Sequence, residues 1–181
     1  MSKLEVSTID SPSGQNTVTI GDSNASTITL KSGATLTNFP ANTPAFCVHL
    51  DANQAVSDNT ATKLTVTSED FDTDNAFADS KFTVPSGKAG KYFFVGKARM
   101  VNTAGSITLE FYKNGSNAGI QFRSQSLSTT FESAIVTAIL NLSVGDYIEL
   151  FGTQVSGSAN DLTSKLFQGY KLIWANWKQI K

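Results

Sequence analysis

Gly90-Lys91-Tyr92-Phe93-Phe94-Val95-Gly96-Lys97-Ala98-Arg99-Met100-Val101 is the stretch on which the fold turns. Side chains of an extended strand alternate between two faces. One face of this run holds Tyr92, Phe94, Gly96, Ala98 and Met100, and the other holds Phe93, Val95, Lys97, Arg99 and Val101. The first half is apolar on both faces, which predicts a strand inside a sheet with cover on each side. No stripe at three- and four-residue intervals competes with that reading.

The same alternation spreads in both directions. Phe46, Val48 and Leu50 alternate with Cys47, His49 and Asp51, and Leu64 and Val66 alternate with Lys63, Thr65 and Thr67. Ile107, Leu109 and Phe111 lead into Lys113-Asn114-Gly115-Ser116, with Ile120 and Phe122 on the way back. Asn-Gly supplies the two positive-φ residues of a tight hairpin turn. Residues 131–142, 147–151 and 166–174 give further strands; within the first, residues 134–140 fit either period, and their β-branched side chains favour strand. Ser143-Val144-Gly145-Asp146 and the polar residues 156–164 read as turn and loop. Many short strands without a helix between them predict an all-β antiparallel sandwich or jelly roll.

Composition closes off several functions. The 181 residues carry 15 acidic and 14 basic side chains, a net charge of −1. Without a basic stripe there is no electrostatic footprint for nucleic acid. The apolar runs fall short of the 18 or more residues that span a bilayer, so no membrane insertion is expected. Met1-Ser2-Lys3-Leu4-Glu5 lacks the layout of a secretory signal. Cys47 is the single cysteine and cannot make an intrachain disulfide.

Residues 1–40 differ in kind. They contain seven Ser and seven Thr but one aromatic, Phe39, too little apolar volume for an independent core. Val18, Ile20, Ile28, Leu30 and Leu36 nevertheless fall on short alternating segments separated by Gly21-Asp22-Ser23-Asn24 and Ser32-Gly33. Such units bury apolar residues only by pairing with copies of themselves. The expectation is a thin β stalk of three intertwined chains, ended by Pro40-Ala41-Asn42-Thr43-Pro44. A solvated linker is the alternative for this composition. The domain plan is thus a stalk at 1–40, a head at 44–174 and a tail at 175–181.

From Pro44 to Ile173 the chain resembles the globular head of the complement first component and tumour necrosis factor superfamily, in the form carried by bacteriophage and other viral fibres. The resemblance rests on Phe71-Asp72-Thr73 with Asn75 and Phe77, on Phe82-Thr83-Val84-Pro85, and on Gly90-Lys91-Tyr92-Phe93-Phe94. Tyr112-Lys113-Asn114-Gly115, Gly145-Asp146-Tyr147 and Phe167-Gln168-Gly169-Tyr170 continue it. It departs in a short insertion within Ser86-Gly87-Lys88-Ala89, and no collagen-like tract precedes the head. The resemblance implies a ten-stranded jelly roll that trimerises along an apolar axis. It also makes Phe71, Asn75, Phe77, Phe82, Gly90, Tyr92, Phe94, Gly145, Asp146, Phe167 and Gly169 the signature of its core and turns. Trp174 and Trp177 would pack under the head or against the stalk.

Little in the sequence carries catalysis. His49 is the one histidine, and Cys47 shares its strand face. Positions two apart on a strand stand roughly 7 Å from each other, and no third orienting group is evident, so both are read as the polar face of an edge strand. Asp70, Asp72 and Asp74 begin like a helix-loop-helix calcium loop, but Asn75 replaces its glycine and Lys81 its final glutamate. No cofactor is expected, calcium being the one alternative that this run offers. The same carboxylates lack the controlled pair spacing of a glycosidase, so no enzyme is expected. Ser-, Gln- and Asn-rich segments at 152–160 and 124–130 could hydrogen-bond sugars. The functional expectation is a non-enzymatic, homotrimeric fibre or spike on a virion surface. Its N-terminal segment would dock to capsid or tail proteins, and its head would contact a host-surface glycan or protein. The alternative is a capsid or tail cement protein with a purely stabilising role.

Overall fold

The computed structural model describes residues 42–101, 104–126 and 132–172. The stalk positions Val18, Ile20, Ile28, Leu30 and Leu36, Trp174 at the end of the expected head, and the tail with Trp177 lie outside them. Twelve strands and no helix are found among the described residues. They run β1 (Ala45–Leu50), β2 (Gln54–Val56), β3 (Thr62–Lys63), β4 (Ser68–Asp72), β5 (Phe77–Ala78), β6 (Lys81–Thr83), β7 (Gly90–Met100), β8 (Gly105–Lys113), β9 (Ser116–Ser126), β10 (Glu132–Leu142), β11 (Tyr147–Val155) and β12 (Asn160–Lys171).

They form two antiparallel sheets. The first is ordered β10-β7-β12-β1-β4 with β2 alongside β12, and the second β5-β6-β11-β8-β9 with β3 alongside β11. This is the expected jelly-roll sandwich, with two short extra pairings at β2 and β3. The face of β7 carrying Tyr92, Phe94, Ala98 and Met100 is wholly buried. Its other face is half-buried, because only the inner side of the sheet meets a second layer. Residues 134–140 are strand, paired along β7 from Ala134↔Ala98 to Leu140↔Tyr92. Asn114 (φ 52) and Gly115 (φ 77) make the β8–β9 turn with both residues left-handed, as the Asn-Gly pair predicts.

The interior is an aromatic stack. Phe46 lies 5.0 Å from Phe77, Phe82 and Phe167, edge-on to the last, and Phe94 contacts Phe82, Phe111 and Phe167 within 6.0 Å. Tyr92 is fully buried with its hydroxyl donating to the Lys88 carbonyl at 2.5 Å, and that burial pushes its pKa up to about 12. Gly169 faces this stack: a Cβ there would lie 2.5 Å from Phe94 Cδ1 and 2.9 Å from the Phe93 carbonyl oxygen. The glycine of the closing strand is therefore a requirement of space.

Three readings need correction. Phe71 is not a core residue but 50% exposed, since it points outward from β4, the uncovered edge of the first sheet. The loop expected at 156–164 is shorter: β12 begins at Asn160, and Leu162 is buried against the core. β1 is not an edge strand, because β12 and β4 flank it on either side.

Candidate functional site

The outer face of the first sheet is built in rows that follow from strand register. One row runs Ile139–Phe93–Tyr170–Ala45, the next Thr137–Val95–Gln168–Cys47–Phe71, and a third Ile135–Lys97–Leu166–His49–Ser68. The alternation of β10 explains why apolar side chains stand here. Its inner positions are the small or compact Ala134, Val136 and Ala138, while Ile135 and Ile139 point out and are 52% and 59% exposed. Tyr170 is also exposed and lies 5.6 Å from the Phe93 ring. A sheet with one face on the core ordinarily turns a polar face to water. This one presents isoleucine and aromatic side chains.

The outer face of the second sheet is the contrast. There Lys63 donates to Glu149 at 2.7 Å, Lys81 stands 5.2 Å over the Tyr147 ring, and Tyr112 stacks on Phe151 at 3.8 Å. Charges and rings on that face are paired with each other.

Cys47 and His49 lie on this outer face among its more polar neighbours, and the structure supplies the third group that the sequence did not reveal. Asp70 on β4 places Oδ2 3.4 Å from both the Cys47 Sγ and the His49 Nδ1. The thiol also donates to Gln168 Oε1 at 3.6 Å. Burial, then the hydrogen bond and charge of Asp70, push the Cys47 pKa up to about 11. A thiol held protonated is a poor nucleophile, and these contacts tie β1 to β4 and, through Gln168, to β12.

The remaining acids of the run have separate partners. Asp72 accepts the Phe77 amide at 2.7 Å, and Asp74 pairs with Lys88 at 3.1 Å. Asn75 (φ 50) turns the chain between β4 and β5. No group of three or more His, Cys, Asp or Glu among the described residues is placed to hold a metal ion. Of the segments proposed to read sugars, Gln154 is fully buried and donates to the Val56 and Ser158 carbonyls, so it ties strands together. Residues 127–130 of the other segment lie outside the described residues.

The remaining signature positions have structural tasks. Phe82, Tyr92, Phe94 and Phe167 are buried, Phe77 packs against them, and Gly90 opens β7. Gly145 (φ 83) sits in the β10–β11 turn, where Asp146 takes hydrogen bonds from Lys113 Nζ, Asn114 Nδ2 and the Ser143 amide, each at 2.8 Å. Ile135 and Ile139 were not singled out from the sequence, although their alternation with alanines marked them as the outward set.

No protein-family model matches the chain, and no curated protein matches it either. Solved structures do. The globular domain of zebrafish complement 1qA protein is 21% identical, with 72% of this chain covering 98% of that one at a TM-score of 0.54. Murine APRIL is 15% identical, with 71% of this chain covering 99% of that one at a TM-score of 0.51. At these identities the likeness speaks to architecture, and it agrees with the two-sheet topology: the chain has a complement- and tumour necrosis factor-like jelly-roll fold.

Proposed function

We propose that the protein is a non-enzymatic, homotrimeric structural component of a virion surface: a short fibre whose residues 1–40 dock to the particle and whose jelly-roll head meets the host. The observation that carries the trimeric reading is the set of exposed apolar side chains on the outer face of the first sheet, led by Ile135, Ile139 and Tyr170. Apolar surface gathered on one face loses contact with water when copies meet over it. Three heads held together raise avidity for a host-surface glycan or protein without any new contact. The virion setting is supported by the Ser/Thr-rich alternating segment that precedes the head.

Native mass measurement tests the assembly. The intact chain is expected at three times 19.3 kDa, and Ile135→Glu with Ile139→Glu is expected to yield a folded monomer. A monomeric unaltered protein would overturn the reading. Host contact is tested separately: purified protein should adsorb to host cells and compete with infection. Particles that lose stability without the protein, together with no adsorption, would favour the cement role.

A further inference from the structure

The sandwich is open along one side, where β4 and β5 form the edges of their two sheets. A cleft of about 220 Å³ lies there, lined by residues of both edges. That is space for about seven water molecules at ~30 Å³ each. Its floor is Val48 and Val66, each 1% exposed, and its wall includes Phe77. The floor is held in place: Ser80 Oγ accepts from the Val66 amide at 3.0 Å and donates to the Val66 carbonyl at 3.1 Å.

Two carboxylates border this cleft above its apolar floor. Glu69 is paired in register with Val48, so both side chains stand on the cleft side of the sheet. Asp79 lies in the β5–β6 turn, where it and Ser80 are both left-handed (φ 51 and 56), and it lines the cleft from the opposite edge. Neither carboxylate has a hydrogen bond or ion pair among the described residues. No lysine, arginine or histidine lines the cleft. Two like charges beside a low-dielectric floor focus a negative potential into it. Calcium would need about six to eight oxygens, more than this lining converges on one point.

The geometry points to a binding site for a small amphipathic primary amine, its apolar body against Phe77 and Ala78 above the Val48–Val66 floor and its ammonium between Glu69 and Asp79. This is independent of the trimeric reading, which concerns a different face.

Benzylamine and its neutral counterpart benzyl alcohol are the probes, each titrated into the ¹⁵N-labelled full chain while amide shifts are followed. Saturable shifts are expected at Thr67, Asp79 and Ser80, with benzylamine bound about fivefold or more tightly than benzyl alcohol. Glu69→Gln combined with Asp79→Asn should bring benzylamine down to the affinity of benzyl alcohol and leave benzyl alcohol unaffected. Equal affinity of the two probes for the unaltered protein would overturn the proposal, as would shifts confined to other residues. So would benzylamine binding that survives the double substitution. The comparison on unaltered protein decides the matter even if the double variant fails to fold.

Discussion

Asp146 gathers three donors, from Lys113, Asn114 and Ser143, and joins the β8–β9 turn to the β10–β11 turn. The Lys113 and Asn114 hydrogen bonds, with that of the Ser143 amide, lower its pKa from 3.8 to about 2. A depressed carboxylate stabilises the fold above its unfolded pKa and loses that contribution as pH falls through the folded one. Thermal midpoints should therefore drop more steeply for the unaltered protein than for Asp146→Asn between about pH 4 and pH 2. Cys47 is displaced in the other direction, from 9.0 to about 11. Its alkylation at neutral pH should be on the order of a hundredfold slower than that of an ordinary thiol at equal access. Asp70→Ala should speed it, by removing both the acceptor of the thiol proton and the negative charge; an unchanged rate would refute that account. The proximity of Asp70 was illegible in the sequence, because it lies 23 residues from Cys47 and arrives through the β1–β4 pairing.

At the scale of elements, alternation revealed the long strands and their inner faces but not which outer faces have cover. Phe71 shows why: the pattern says that it opposes its neighbours, whereas its exposure depends on β4 being an edge. β2 escaped for a related reason, and the alternation read across residues 63–67 is strand only at Lys63, the end of β3. With three and two residues, β2 and β3 are too short to carry a period, and they exist because longer strands offer free backbone partners. The closing strand was legible in composition and is explained by packing. Gly169→Ala pushes a Cβ against the Phe93 carbonyl, which is backbone and cannot swing aside, so a loss of about 1–3 kcal/mol is expected in denaturant unfolding. Gly96→Ala meets the flexible Leu150 side chain first and should cost less. Phe94→Ala empties the centre of the aromatic stack and is expected to cost about 3–5 kcal/mol.

For the whole molecule, the aromatic interior draws its buried residues from Phe46 to Phe167, one continuous core among the described residues. A chain trimmed to residues 42–172 is expected to keep its cooperative thermal transition, followed by far-ultraviolet circular dichroism. A non-cooperative melt would mean that the leading segment shares in the core. Fold class was readable because the long strands obey one period; assembly was not, because exposure is decided by which sheet face lacks a second layer.

The first and last strands of the head lie side by side, β1 against β12, and the Lys171 amide bonds to the Pro44 carbonyl at 2.9 Å. Points of attachment at the two ends are therefore neighbours at one pole. Tension applied between them would peel this pair open one rung at a time, whereas a load carried through one end alone spares it. A single-molecule pull between residues 42 and 172 should accordingly give way at low force, and splicing those positions with a short linker should yield a viable circular permutant opened at the Asn114-Gly115 turn.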